Sequence, residues 1–169
     1  MSPTQRDPWH DLGETLAGRF TARARGLFAS DFVLLDTEGK EIGRLEINGT
    51  RSAKLSAGDI EARIERSGRS GYKMLSQNAE VLTVILTSTG DATSPRITYQ
   101  NHPYETTLSL LRNKAEAGPP GHTTIRIDGG LTNRSYTAIF DPHDRGSPPV
   151  ALFLLYHLVS LRREAYRTG

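Results

Sequence analysis

The chain has 169 residues, a length that predicts one domain with a core large enough to fold without disulfides. It contains no cysteine, which excludes disulfides, cysteine-based zinc sites and thiol chemistry, and its formal net charge of +2 gives no indication of a nucleic-acid partner. The N-terminal residues lack the apolar segment of a secretory signal, so we expect a cytoplasmic protein, either free or peripheral to a membrane.

The N-terminal segment, residues 1–18, is polar and can form a short helical latch. Asp7 followed by Pro8 suits the N-cap and the first position of a helix. Apolar residues then recur at the spacing of one helical face: Trp9, Leu12 and Leu16. We expect the remaining residues, 19–169, to form a single domain.

The next segment has the pattern of a β-hairpin. An apolar run at 31–36 is followed by a turn, in which Gly39 tolerates a positive φ, and by a returning strand at 41–47. In a regular strand, Ile42 and Leu45 would point to opposite faces. The glycine between them, Gly43, can host a β-bulge that restores the alternation.

Strand patterns continue through the middle of the chain. Apolar and charged residues alternate at 60–65, which predicts one buried and one solvated face. Residues 80–88 are apolar at nearly every position, so we expect a strand covered on both sides, where the latch packs. Further candidates lie at 72–75, 96–100, 104–112, 123–128 and 134–140. With the stretch between the turns at 48–49 and 57–59 and the alternating stretch at 19–25, these segments give about eleven strands, which is typical of a β-sandwich or a β-barrel.

The C-terminal segment decides between sandwich and barrel. Residues 150–161 are apolar on every face of a helix, and this run is about 18 Å long, too short for a bilayer core of roughly 30 Å. Two prolines suit its first turn and two arginines its last: Pro148, Pro149, Arg162 and Arg163. A sandwich has no space for such a helix, whereas a wide barrel does. We therefore predict a mainly β protein, a closed antiparallel barrel enclosing a hydrophobic helix at about 148–165.

Two features of the chain resemble the tubby-like superfamily, which comprises the tubby C-terminal domain, the LURP-one-related proteins and the phospholipid scramblases. The hairpin at 32–45 is similar to the strand-turn-strand opening of that family, and the segment at 149–163 is similar to its central hydrophobic helix. The resemblance implies a barrel of twelve strands around the C-terminal helix. It also implies a binding role, because some members bind phosphoinositides or act at membranes.

Two sets of arginines are candidates for a patch that binds lipid headgroups. The first set alternates with small residues and the second precedes a turn: Arg19, Arg23 and Arg25, then Arg63, Arg66 and Arg69. The alternative is that they are solvated strand faces that deter unwanted strand pairing. Because the apolar terminal helix lacks the polar face of an interfacial anchor, we expect any membrane association to be electrostatic.

One loop could carry catalytic or metal chemistry. Asp141, His143 and Asp144 place an imidazole between two carboxylates, which could bind a divalent metal or act as a base. The neighbouring proline and glycine favour a simple connector between the last strand and the helix instead. His157, within the apolar helix, is expected to be a hydrogen-bonded core residue.

These observations leave three functions. The favoured one is non-catalytic binding of an anionic lipid headgroup or a protein partner, without a cofactor. The second is a carrier of a hydrophobic small molecule, which would need the terminal helix to leave the barrel. The third is a metal-dependent enzyme that uses the 141–144 loop, and it would need further polar partners from neighbouring strands.

Overall fold

The structure is a computed structural model that describes residues 7–26, 30–87 and 92–168. Its helices are α1 (Pro8–Leu16) and α2 (Ser147–Thr168). Its strands are β1 (Arg19–Arg25), β2 (Asp31–Leu35), β3 (Glu41–Asn48), β4 (Ser52–Ala57), β5 (Ile60–Arg66), β6 (Gly71–Ser76), β7 (Ala79–Ile85), β8 (Arg96–Tyr99), β9 (His102–Ser109), β10 (Lys114–Gly118), β11 (Ile125–Gly129) and β12 (Ser135–Phe140).

The strands form one closed antiparallel barrel. Each strand pairs with the strands before and after it in the chain, and β1 pairs with β12 to close the ring. Closure in which every pair is antiparallel requires an even number of strands, because neighbouring strands must alternate in direction around the whole ring. The mainly β barrel that the sequence predicts is confirmed.

Helix α2 fills the inside of the barrel. Its large apolar side chains are buried: Val150, Leu152, Phe153, Leu154, Leu155, Leu158 and Val159. Burying each one stabilises the fold by roughly 1.5–3 kcal/mol, so the helix forms the core of the protein. Leu161, nearer the end of the helix, is half-buried. Within the described residues, neither helix has the combination of length and hydropathy that a membrane span requires.

Helix α1 packs against the start of α2. The carboxylate of Asp7 caps α1 by accepting a 3.0 Å hydrogen bond from the backbone N–H of Trp9. A Cβ added at Gly13 would lie 3.2 Å from the ring of Pro148, so the two helices approach closely there. Trp9, Leu12 and Leu16 are buried in the common core.

The bulge predicted in the first hairpin is present. Leu34 pairs with Gly43 and Leu35 pairs with Glu41, so Ile42 is the extra residue on β3. A Cβ at Gly43 would lie 1.9 Å from the carbonyl oxygen of Ser56 on β4, a distance that excludes any side chain at this position. Glycine is therefore required by the close approach of the two strands.

The environment predicted for the apolar segment 80–88 is wrong. Strand β7 ends at Ile85, whose side chain is 62% exposed, so only one face of the strand is covered. Helix α1 contacts α2 at the end of the barrel and does not cover this face as a second layer. Ser88 lies outside the described residues.

One strand, β10, is missing from the sequence-based prediction. Its inward positions are alanines, Ala115 and Ala117, so it lacks the large apolar residues that signal a strand. Small side chains suit this position because α2 packs most extensively against β10, β11 and β12. The strand predicted at 104–112 accordingly ends at Ser109, and the remaining residues form a turn.

Candidate functional site

The up-and-down order of the strands sorts the turns of the barrel into two groups. Turns that follow odd-numbered strands lie at one end, and turns that follow even-numbered strands lie at the other. We call the first the exit end, because α2 finishes there. The second is the capped end, because α1 lies there. At the exit end, the hydroxyl groups of Tyr156 and Ser160 each donate a 3.2 Å hydrogen bond to the carbonyl oxygen of Gly49.

The exit end is rich in arginine. Exposed arginines lie in its turns, at its strand ends and in the last turn of α2: Arg25, Arg51, Arg66, Arg69, Arg112, Arg134 and Arg167. Among the described residues of those turns, those strand ends and the last two turns of α2, the acidic side chains are those of Asp31, where β2 begins, and Glu164. The exit end therefore carries a strongly positive field.

The capped end has the opposite charge. Acidic residues lie in α1 and in the turns around it: Asp7, Asp11, Glu14, Asp36, Glu38, Asp59, Asp141 and Asp144. They outnumber the basic residues of those turns, Lys40 and Arg145. The small net charge of the chain therefore conceals a separation of charge along the barrel axis. The separation complements α2, whose N-terminus lies at the acidic end and whose C-terminus lies at the basic end.

Arg66 links two turns of the exit end. Its Nε donates a 3.2 Å hydrogen bond to the carbonyl oxygen of Thr50, and one terminal nitrogen lies 3.4 Å from the carbonyl oxygen of Arg69. Its guanidinium lies over the ring of Tyr72, 4.9 Å from the centroid. Burial raises the pKa of Tyr72, and the positive charge of Arg66 opposes that shift. The turns after β3 and β5 are thus held together beside exposed positive charge.

Arg162, near the end of α2, is buried and links the turns after β9 and β11. Its Nε donates a 2.6 Å hydrogen bond to Oδ1 of Asn133, and its Nη1 donates to the carbonyl oxygen of Leu110. Its Nη2 donates a 3.2 Å hydrogen bond to the hydroxyl of Tyr166. Charged hydrogen bonds to carbonyl groups satisfy this guanidinium, so Arg162 serves to hold the exit end together.

The first predicted arginine set does not form a patch. Arg19 lies where β1 begins, at the capped end, whereas Arg25 lies where β1 finishes, at the exit end. Arg23 lies between them on the outer wall, paired with Ser135 and Val33 on the flanking strands. Arg25 pairs across the sheet with Asp31, which offsets its charge.

The second predicted set is also divided. Arg63 lies on the outer wall, where its Nε is 3.4 Å from a carboxylate oxygen of Glu65. Arg66 and Arg69 lie at the exit end. The predicted sets contain arginines that are close in the chain. In the barrel, the arginines that lie together are those whose turns share one end, such as Arg51 and Arg112.

The 141–144 loop connects β12 to α2. Asp144 accepts hydrogen bonds from three hydroxyl groups, those of Tyr104 (2.6 Å), Ser147 (2.9 Å) and Thr124 (3.1 Å). Burial and this carboxylate raise the pKa of Tyr104, so its hydroxyl keeps its proton. Asp144 therefore fixes the beginning of α2, next to a helix N-terminus that favours negative charge.

The other two members of the loop are less enclosed. Asp141 accepts a 2.9 Å hydrogen bond from the backbone N–H of His143, which forms an Asx turn, and the side chain of His143 is exposed. Within the described part of the chain, no group of three or more histidine or acidic side chains has the arrangement of a metal site.

His157 is a core residue with a hydrogen bond, as predicted. Its Nε2 lies 2.7 Å from the carbonyl oxygen of Ala92, and its ring stacks on that of Phe153 with centroids 5.4 Å apart. Burial lowers the pKa of His157 to about 4. The imidazole is therefore neutral at physiological pH and donates from Nε2.

Comparison with known proteins supports the architecture. The fold is similar to the X-ray structure of a protein from Arabidopsis thaliana, with 11% sequence identity and a TM-score of 0.53. The match covers 88% of this chain and 91% of the plant protein. No protein-family model and no curated protein sequence matches the chain. The likeness shows a similar fold, which in this chain is a twelve-stranded barrel with a C-terminal helix.

Proposed function

We propose that this protein is a non-catalytic barrel of the tubby-like superfamily that binds anionic lipid headgroups at its exit end. The observation that carries the proposal is the concentration of exposed arginines in the turns of one end, among them Arg51, Arg69 and Arg112. A bilayer surface is flat, and the end of a barrel offers several turns to it at once. The protein would then be peripheral to the membrane.

The expected strength of such binding follows from the number of arginines that reach the surface. Each basic residue near an anionic bilayer contributes about 1 kcal/mol, and the attraction acts within a Debye length of about 10 Å at 0.1 M salt. A guanidinium also presents a planar set of donors that matches the oxygen atoms of a phosphate group. Three or four turn arginines therefore suffice for measurable binding.

The structure of the core favours this function over a hydrophobic carrier. A carrier needs a lumen, and α2 occupies the inside of this barrel with side chains such as Phe153 and Leu155, both fully buried. The metal-enzyme alternative depends on the 141–144 loop, whose Asp144 is already occupied by three hydroxyl donors. Binding to a surface requires neither a lumen nor a catalytic group.

Cosedimentation with lipid vesicles tests the proposal. The protein is mixed with vesicles of phosphatidylcholine alone, or of phosphatidylcholine with phosphatidylserine, at about 0.05 M and about 0.5 M salt. We expect binding to the anionic vesicles that decreases as the salt rises. Absence of binding to anionic vesicles at low salt would contradict the proposal, and equal binding to neutral vesicles would contradict the role of the arginines. Capture of an acidic protein without any lipid binding would favour a protein partner instead.

A further inference from the structure

Two leucines at the exit end are almost completely exposed. Leu111 is 95% exposed and Leu131 is 99% exposed. Leu111 lies in the turn after β9 and Leu131 in the turn after β11. Because β10 pairs with β9 on one side and with β11 on the other, these two turns are neighbours. Leu111 lies beyond the end of β9, although the sequence pattern predicts a strand at 104–112.

The turns that carry these leucines are fastened to each other. The side-chain amide of Asn113 donates a 2.9 Å hydrogen bond to the carbonyl oxygen of Gly130 and lies 3.3 Å from Oδ1 of Asn133. Both asparagines adopt left-handed backbone conformations, with φ of +55° and +58°. Asparagine tolerates this conformation, which tight turns require. The two exposed leucines therefore lie in turns that are held to each other by hydrogen bonds.

A third apolar group belongs to the same unit. Tyr166, in the last turn of α2, is 67% exposed, and its hydroxyl accepts a hydrogen bond from Arg162. The same guanidinium donates to Asn133 and to Leu110. Arg162 thus connects both leucine-bearing turns to the helix. We call Leu111, Leu131 and Tyr166 the apolar tip.

The surroundings of the apolar tip indicate what covers it. Arg112 follows Leu111 directly, Arg134 lies in the same turn as Leu131, and Arg167 follows Tyr166. Projecting leucines beside positive charges complement an anionic bilayer, which offers negative headgroups above an apolar interior. Tyrosine suits the level between these two layers.

We propose that Leu111 and Leu131 insert into an anionic bilayer, with Tyr166 at the headgroup level, so that the barrel docks on the membrane by its exit end. This inference rests on the proposed function and adds an orientation and an apolar contribution to it. The acidic capped end then faces away from the membrane, so its negative charges do not repel the anionic headgroups. Binding is expected to have a component that salt does not remove.

Site-specific fluorescence tests the insertion. The chain has no cysteine, so Leu111→Cys and Leu131→Cys each create one site for an environment-sensitive dye such as NBD. Asp59→Cys, in a turn of the capped end, is the control. With vesicles of phosphatidylcholine and phosphatidylserine, we expect the dye at both leucine positions to brighten and shift to shorter wavelength, and to be quenched by spin-labelled acyl chains. The control dye should stay unchanged.

Binding measurements on unlabelled variants test the contribution of the leucines. We expect Leu111→Ser with Leu131→Ser to weaken vesicle binding at least about tenfold, because burial of one leucine is worth roughly that factor or more. Ile139→Ser removes a side chain that is 52% exposed on the outer wall, and it should leave binding within about twofold of the wild type.

The outcomes separate this inference from the proposed function. Failure of the wild-type protein to bind anionic vesicles at low salt would overturn both. Normal binding with no dye response at either leucine, or with full affinity in the double serine variant, would overturn the insertion alone. A dye response that depends on protein concentration and needs no vesicles would show that a second copy of the chain covers the tip, and this too would overturn insertion.

Discussion

The hydroxyl of Tyr104 donates a 2.6 Å hydrogen bond to the carboxylate of Asp144, and this contact joins the barrel wall to the turn that leads into the central helix. Asp144 also accepts from the hydroxyl of Ser147, the first residue of α2. The start of the helix that fills the barrel is therefore fixed by one carboxylate. Asp144, which the sequence suggests as a metal ligand, therefore holds the start of the helix that forms the core.

We expect Tyr104→Phe to lower the free energy of unfolding by about 1.5–3 kcal/mol, because it removes a hydrogen bond from a buried tyrosine to a charged acceptor. Urea unfolding measures the change. His143→Ala is the control, since this exposed side chain precedes Asp144 and should change stability by less than about 0.5 kcal/mol. Equal effects of the two substitutions would contradict the role given to the Tyr104 hydroxyl.

Added zinc, manganese or calcium should leave the melting temperature unchanged. The reason is that Asp144 is engaged by hydroxyl donors and His143 points to solvent, so the 141–144 loop has no convergent ligands. Thermal unfolding with each metal in turn measures this. A rise of several degrees with one metal, abolished by His143→Ala, would show that the loop is a metal site.

We expect Leu155→Ala to cost about 2–5 kcal/mol, because Leu155 is fully buried and the substitution leaves a cavity in the barrel. Leu131→Ala makes the same chemical change at an exposed position, and it should cost less than about 0.5 kcal/mol. Deletion of the chain from Pro148 onward should give an insoluble or molten product. A soluble, cooperatively folded truncated protein would contradict the assignment of α2 as the core.

The free energy of unfolding should decrease as the pH is lowered, because His157 titrates. Its pKa is 6.5 in the unfolded chain and about 4 in the fold, because burial disfavours the charged imidazole. The unfolded chain therefore binds the proton first, so the stabilisation is complete above pH 6.5 and is lost as the pH falls toward 4. The full loss is on the order of 3 kcal/mol.

The variant His157→Gln isolates this effect, because glutamine does not titrate and its amide can still donate to the carbonyl of Ala92. Urea unfolding at about pH 7.5 and about pH 5 compares the two proteins. We expect the wild type to lose more stability than the variant between these values. Identical losses would mean that His157 does not titrate in this window.

Sequence patterns predicted the elements whose signals are local. The terminal helix is apolar on all faces, the first hairpin has a turn with Gly39, and the bulge at Gly43 follows from the phase of its neighbours. Strand β10 could not be found in this way, because Ala115 and Ala117 gain their burial from the approach of α2. An alanine carries little strand preference of its own.

The candidate site was missed for a related reason. In an up-and-down barrel, the end at which a turn lies depends on how many strands precede it. Omitting β10 reverses this assignment for every later turn, so Arg134 and Leu131 would be placed at the opposite end from Arg112. An antiparallel ring needs an even number of strands, and that requirement could have exposed the missing strand in a count of about eleven.

Charge reversal at one end of the barrel tests the central claim most directly. Arg51→Glu, Arg69→Glu and Arg112→Glu are combined in one protein that alters the exit end. A matched protein has the same change in net charge at exposed positions elsewhere: Arg19→Glu, Arg23→Glu and Arg145→Glu. Each is measured by cosedimentation with vesicles of phosphatidylcholine and phosphatidylserine at low salt, after circular dichroism has shown that both proteins are folded.

We expect the exit-end protein to lose binding on the order of 100-fold, because about 1 kcal/mol of attraction is removed at each of its altered positions. The matched protein should bind within a few-fold of the wild type, since its altered positions lie away from the docked surface. Equal loss in the two proteins would show that only net charge matters. Unchanged binding of the exit-end protein would contradict the assignment of this end as the lipid-binding surface.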